Sequence, residues 1–183
     1  MDERKNINRI TGVLEATNTK AYVARGEQYY LAYLVRGEVT IPVIVSKYYS
    51  QTFDGKHVVC DGVICVASPE VKRDCKILSY FYCLLMNESS DEKDTGYVKI
   101  EGTIDKLWDI ELTPSNSVVR KLKLECSVDL DRPAKRSAPC RCFSVVARKS
   151  LELQVGDNIV VTGYVSGNRT ALRVVVKNYE KIK

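Results

Sequence analysis

VIVSKYYSQTFDGKHVVCDGVICV (43–66) and SVVARKSLELQVGDNIVVTGYVSG (144–167) follow one pattern. Gly55 falls on Gly156, Gly62 on Gly163 and Lys47 on Arg148. Upstream, NRITGVLEA (8–16) matches VKIEGTIDK (98–106), with Gly12 on Gly102 and Leu14 on Ile104. The chain therefore contains an internal repeat, and its period sets the domain size. The offset grows from 90 to 101 residues between the two matches, so the second copy is longer by eleven. The extra length is expected in the segment before Ser144. Between the copies lies NESSDEKDTG (87–96), polar and charged, with the composition of a linker. Two domains are expected, 1–88 and 97–183, joined by 89–96. A unit of that size buries roughly 60–65% of its unfolded surface.

Both copies alternate with a period of two. In YVKIEGTID (97–105), Val98, Ile100, Gly102 and Ile104 share one face. In RKLKLECSVD (120–129), Leu122, Leu124, Cys126 and Val128 oppose Lys121, Lys123, Glu125 and Ser127. IVVTGYV (159–165) and ALRVVVKNY (171–179) continue the pattern, and INRITGVLE, QYYLAYLVR, VTIPVIVSK, HVVCDGVIC and KILSYFYCLLM supply five strands to the first copy. No stretch has the period of an amphipathic helix, so the fold class is all-β. Five short strands with a turn at Asp54-Gly55 or Gly156-Asp157 before the fourth suit a closed barrel, because closure removes exposed edges. Glycines inside strands at matched places supply the bends a barrel needs.

A composition of 45% hydrophobic and 28% charged residues is that of a globular chain, and no apolar run approaches the roughly 18 residues of a membrane helix. The start, MDERKNINRI, lacks the apolar stretch of a secretory signal, so a cytoplasmic protein is expected. Seven cysteines without a C-x-x-C pair, mostly inside apolar runs and with a single histidine, His57, read as buried thiols rather than a metal site. No cofactor is expected. Catalytic signatures are absent: there is no Gly-rich phosphate loop and no G-x-S-x-G.

Net charge is +5, and its distribution is uneven. Residues 1–90 carry 11 basic and 10 acidic side chains, against 17 and 13 in residues 91–183. In DRPAKRSAPCRCFSVVARK (131–149), six basic side chains follow Asp131 with no further acid. Pro133 and Pro139 bracket small residues in a loop, and the rest, through VVAR, reads as the third strand.

The order strand, long loop, VVAR, KSLELQ, then VGDNIVVTGYV resembles the oligonucleotide-binding (OB) fold of bacterial single-stranded DNA-binding proteins. Their lysine-glycine-aspartate turn and following glycine are echoed by Val155-Gly156-Asp157 and Gly163. Arg148-Lys149-Ser150 through Gly156 is similar to the primosomal replication protein N group, whose barrel lacks a helix between the third and fourth strands. The resemblance implies two five-stranded OB-fold (Greek-key) barrels in tandem and single-stranded DNA, or RNA, as partner. It also implies a role in replication, recombination or repair, with replication proteins as further partners and a homodimer of tandem chains. Two departures stand out: KNYEKIK ends the sequence with basic residues where that family carries an acidic tail, and two barrels share one chain.

Single-strand binders of this fold combine a positive groove with stacking rings. The expected contacts on the second unit are Lys106, Trp108, Arg120, Lys121 and Lys123, then Arg132, Lys135, Arg136, Arg141, Phe143, Arg148 and Lys149, with Tyr164. On the first they are Lys47, Tyr48 and Tyr49. Its tight RGEV loop (36–39) and lower charge make it the weaker binder or a packing partner. A protein-interaction adaptor is the alternative from another class.

Overall fold

The computed structural model describes residues 6–90, 93, 95–128 and 134–182, with only the backbone of Ala134 and Lys135. The chain divides into two compact units. The first takes Asn8–Gly96 with Ser166–Leu172; the second takes Tyr97–Val165 and Arg173–Lys183 with the segment that ends at Ile7. Two short segments thus belong to the unit other than that of their sequence neighbours.

In the first unit β1 (Asn8–Ala24), β2 (Glu27–Arg36), β3 (Val39–Ser46), β4 (His57–Val66) and β5 (Ser79–Glu88) close into a barrel, ordered β1-β2-β3-β5-β4. Neighbours are antiparallel except β3 and β5. Arg25 and Gly26 both take positive φ in the two-residue turn after β1, which matches the twist of the flanking strands. Ile10, Leu14, Leu34, Ile41, Val43 and Phe81 fill the interior. Two short helices interrupt the strands, α1 (Lys47–Thr52) and α2 (Pro69–Cys75). Ser46 caps α1 by accepting the Tyr49 N–H, and Ser68 caps α2 ahead of Pro69 at the first helical position.

The second unit repeats the plan with β6 (Tyr97–Leu107), β7 (Glu111–Leu112), β8 (Val118–Val128), β9 (Ala134–Phe143), α3 (Ser144–Lys149), β10 (Asn158–Asn168) and β11 (Ala171–Lys181). The order β6-β10-β11-β9-β8 is closed by pairing of β6 with β8, and β7 adds two residues beside β8. As in the first barrel, one pair is parallel, β9 with β11. Two closed five-stranded barrels in one chain are what the repeat and the resemblance led us to expect.

The matched glycines sit where neighbouring strands come closest. A Cβ on Gly12 would lie 2.9 Å from the Val35 carbonyl oxygen, and one on Gly102 would lie 2.6 Å from that of Glu125. On Gly62 and Gly163 it would lie 2.1 Å and 2.0 Å from the carbonyls of Tyr82 and Val175. Close backbone approach is the reason for each.

Three local expectations are corrected. SVVARK is not strand: extended backbone ends at Phe143, Ser144 turns it with φ 49°, and α3 follows with Ala147 buried and Val145 78% exposed. A six-residue helix is too short to show its period, and adjacent valines carry strand propensity. A helix therefore does stand between the third and fourth strands, in both barrels. Pro139, expected in a loop, lies within β9 opposite Lys123, as Pro42 lies in β3 opposite Tyr33.

All seven cysteines are buried free thiols. Burial pushes Cys140 up and Cys142 up to about 12, so neither offers a thiolate. Among the described residues, no helix is long and apolar enough to cross a membrane.

Candidate nucleic-acid interface

Cross-strand register builds the charged wall of the second barrel. Lys121 lies opposite Arg141, and Arg141 lies beside Val175. One residue along each strand, Leu122, Cys140 and Val174 are buried. Alternation therefore turns Lys121, Arg141 and Val175 outward as one row. Lys123 continues that face on β8, and Arg173 and Lys177 flank Val175 on β11. The wall thus draws five basic side chains from three adjacent strands.

These cations differ in their partners. Lys121 pairs with Glu111 of β7 at 2.9 Å, and Lys123 pairs with Asp105 of β6. Among the described residues, Arg141, Arg173 and Lys177 form no ion pair. Partial burial, and then the nearby charge of Arg141, lower the pKa of Arg173, and its Nε is buried without a hydrogen-bond partner. Two guanidinium groups that repel each other and lack a carboxylate favour an anion between or above them.

Rings stand beside the charges. Tyr164 on β10 is 48% exposed and lies opposite Tyr97 on β6, itself 53% exposed. Their ring centroids are 5.6 Å apart in an edge-on arrangement, and Lys177 Nζ lies 5.5 Å from the Tyr164 ring. At the end of β6, Lys106 Nζ sits 4.7 Å over the half-exposed ring of Trp108. The Trp108 N–H donates to the Lys121 carbonyl at 3.0 Å. Arg120 Nε donates to the Trp108 carbonyl at 2.9 Å, and its Nη1 donates to the Ser150 carbonyl. Those donors tie the Trp108 segment and the turn after α3 to β8. Phe143, half-buried, closes β9 opposite Val119.

Other expected residues lie elsewhere. Arg148 and Lys149 are on α3, and Lys149 Nζ lies 4.7 Å over Tyr179, whose hydroxyl donates to Glu152 at 2.9 Å. Arg136 lies opposite buried Cys126, on the side of β9 that carries Ala138 and Cys140, away from Arg141. Lys135 pairs through its backbone with Ser127. Arg132 lies outside the described residues. Lys47, Tyr48 and Tyr49 open α1 of the first unit, where the ring centroids of Tyr48 and Tyr49 are 5.7 Å apart. Burial raises the Tyr49 hydroxyl above its ordinary pKa, while Tyr48 is exposed.

Sequence reasoning missed Tyr97, Arg173 and Lys177. Their signal was present: ALRVVVKNY alternates Leu172, Val174 and Val176 against Arg173, Val175 and Lys177, and YVKIEGTID sets Tyr97 opposite Val98, Ile100 and Ile104.

No family model and no curated protein matches the sequence. Solved structures do. The single-stranded DNA-binding protein from Thermus aquaticus covers 96% of this chain with 91% of its own, at a TM-score of 0.68 and 16% identity. A deletion variant of that protein covers 100% with 97% of its own, at 0.71 and 17%. The protein PriB from Ralstonia solanacearum matches 49% of this chain with 99% of its own, at 0.45 and 14%. With the strand orders above, the full-length likeness identifies two oligonucleotide-binding folds in one polypeptide.

Proposed function

We propose that the protein binds single-stranded DNA without strong sequence preference, through the outer wall of its second barrel. The observation that carries this reading is the Arg141–Arg173 pair, two cations on neighbouring strands without an acidic partner among the described residues. Lys177 and Lys121 extend the positive surface, and Tyr164, Tyr97 and Trp108 offer flat rings. Phosphates neutralise the cations and release counterions, while rings stack on unpaired bases whatever their identity. Full-length likeness in fold to a protein named for single-stranded DNA binding supports the same reading. A setting in replication, recombination or repair accords with it.

Salt titration of oligo(dT) binding tests the proposal. Affinity falls steeply with salt, and Arg141→Ala/Arg173→Ala/Lys177→Ala lowers the slope by about two units, from three lost phosphate contacts on a single strand. Trp108 fluorescence is quenched by poly(dT) and not by duplex. Salt-independent binding would replace this reading with a protein adaptor, and equal affinity for duplex would overturn its preference for single strands. Preference for oligo(rU) over oligo(dT) would move it to RNA.

A further inference from the structure

The outer walls of the two barrels occupy the same register and have opposite character. In the second barrel the row is Lys121–Arg141–Val175. In the first it is Leu31–Ile44–Tyr82, continued by Val63 on β4. Two independent anchors fix the correspondence. Pro42 and Pro139 each lie two residues before the central member, and Gly62 and Gly163 face the carbonyls of Tyr82 and Val175. By the same offsets Tyr33 stands for Lys123, Tyr80 for Arg173 and Val63 for Tyr164. With Leu84 in the place of Lys177, every cation of the open wall is replaced by an apolar or aromatic residue. Leu31 is 3% exposed, Ile44 0% and Val63 1%, against 48% for Tyr164.

Residues 166–172 belong to that same compact unit. The Arg169 guanidinium lies 4.6 Å over the Tyr33 ring and pairs with Glu15 at 2.8 Å. The Thr170 carbonyl accepts the Leu78 N–H at 2.7 Å. The Ser79 hydroxyl accepts the Leu172 N–H at 2.8 Å and donates to the Leu172 carbonyl at 2.5 Å, with Leu172 itself buried. Both backbone groups of a buried residue are thus satisfied by one side chain, which fits a built seat rather than a loose turn.

We infer that the chain presents one strand-binding wall, not two: the centre of the first barrel's wall is apolar and buried, and residues 166–172 hold its Tyr33 edge. A polyanion finds at Leu31, Ile44 and Val63 neither a cation nor exposed surface, and the guanidinium at the edge, that of Arg169, is paired with Glu15. This rests on the function proposed above and fixes its stoichiometry at one strand segment per chain.

Calorimetric titration of the full chain at low salt with oligo(dT) of roughly eight nucleotides, within the span of one such barrel, reads the stoichiometry. One oligonucleotide per chain is expected, and Arg141→Glu/Arg173→Glu weakens binding at least 100-fold with no residual phase. Two per chain, or a second phase that survives the double variant, overturns the inference and leaves single-strand binding intact. Wild-type protein that binds no oligonucleotide overturns both. Amide exchange judges the hold of residues 166–172 on that edge independently of any ligand. The Leu78 and Leu172 N–H groups should exchange as slowly as those of β5. Exchange at the rate of an exposed turn shows that residues 166–172 do not hold the edge and overturns the inference.

Discussion

Asn6 Nδ2 donates to the Ser127 carbonyl at 2.7 Å across a sequence separation of 121 residues. The same nitrogen reaches the Glu101 carbonyl at 2.8 Å, and Asn6 Oδ1 accepts the Glu101 N–H at 2.7 Å. The β6–β8 ladder runs to Thr103 opposite Glu125, so this one amide bridges the strands where the next such pair would fall. Asn6→Ala leaves these backbone groups short of partners and should cost about 2 kcal/mol. The urea midpoint then falls with an unchanged m-value. Asn6→Asp fares no better, because a carboxylate can accept from Glu101 but cannot donate to two carbonyls.

Gly62 and Gly163 admit no side chain. Gly62→Ala and Gly163→Ala each force a methyl group against a neighbouring carbonyl, and each should cost about 3 kcal/mol or more. Gly26 is the control. It has positive φ but open space, so Gly26→Asn costs less than about 1 kcal/mol. Thermal melts of the three variants check the ranking.

Arg141 trades stability for charge. Burial, and then repulsion from Arg141, lower the Arg173 pKa, and removing Arg141 relieves the second of these. Arg141→Ala should therefore raise the melting temperature of the free protein. It should also weaken oligo(dT) binding about tenfold and reduce the salt slope by about 0.7. A lower melting temperature with unchanged binding would remove Arg141 from the interface.

Arg120 should behave in the opposite way. Its donors serve the carbonyls of Trp108 and Ser150, so Arg120→Ala should cost about 1–3 kcal/mol of stability. At a temperature where the variant remains folded, the salt slope of binding stays at the wild-type value.

Asp157 supplies an acid-sensitive contact. Its carboxylate accepts from Lys181 and from the Gln154 N–H, which hold its pKa below the ordinary value. A folded pKa below the unfolded one contributes stability above the unfolded value, and that contribution is lost as pH falls through the folded one. The urea midpoint of Asp157→Asn should thus fall less steeply than wild type below about pH 4.

The repeat made the barrels legible because the closure of each leaves a chemical trace. Gly12 with Gly102 and Gly62 with Gly163 are forced by backbone approach, and nothing but glycine fits. Alternation around Leu122, Leu124 and Cys126 likewise placed Lys121 and Lys123 outside. The short helices were not legible, since one and a half turns of SVVARK or KYYSQT show no period and carry β-branched or aromatic residues. Charge counting also misled around residues 131–149. It could not tell Arg141, turned to solvent, from Arg136 on the opposite side of the same strand, or see Arg148 leave on a helix. The seat of residues 166–172 was not legible, because backbone groups, one serine hydroxyl and the pairing of Arg169 with Tyr33 and Glu15 join positions far apart in sequence.

The exchange of segments between units bears on how the chain is made. Synthesis from the amino end leaves the first barrel without residues 166–172 until the strands of the second have also emerged from the ribosome. The Tyr33 ring, the Leu78 N–H and the Ser79 hydroxyl lack these partners during that interval, so a chaperone or a second nascent chain has time to find them. A gene split at residue 96 yields two fragments, each missing a strip that the other carries, and mixing them should restore what neither attains alone.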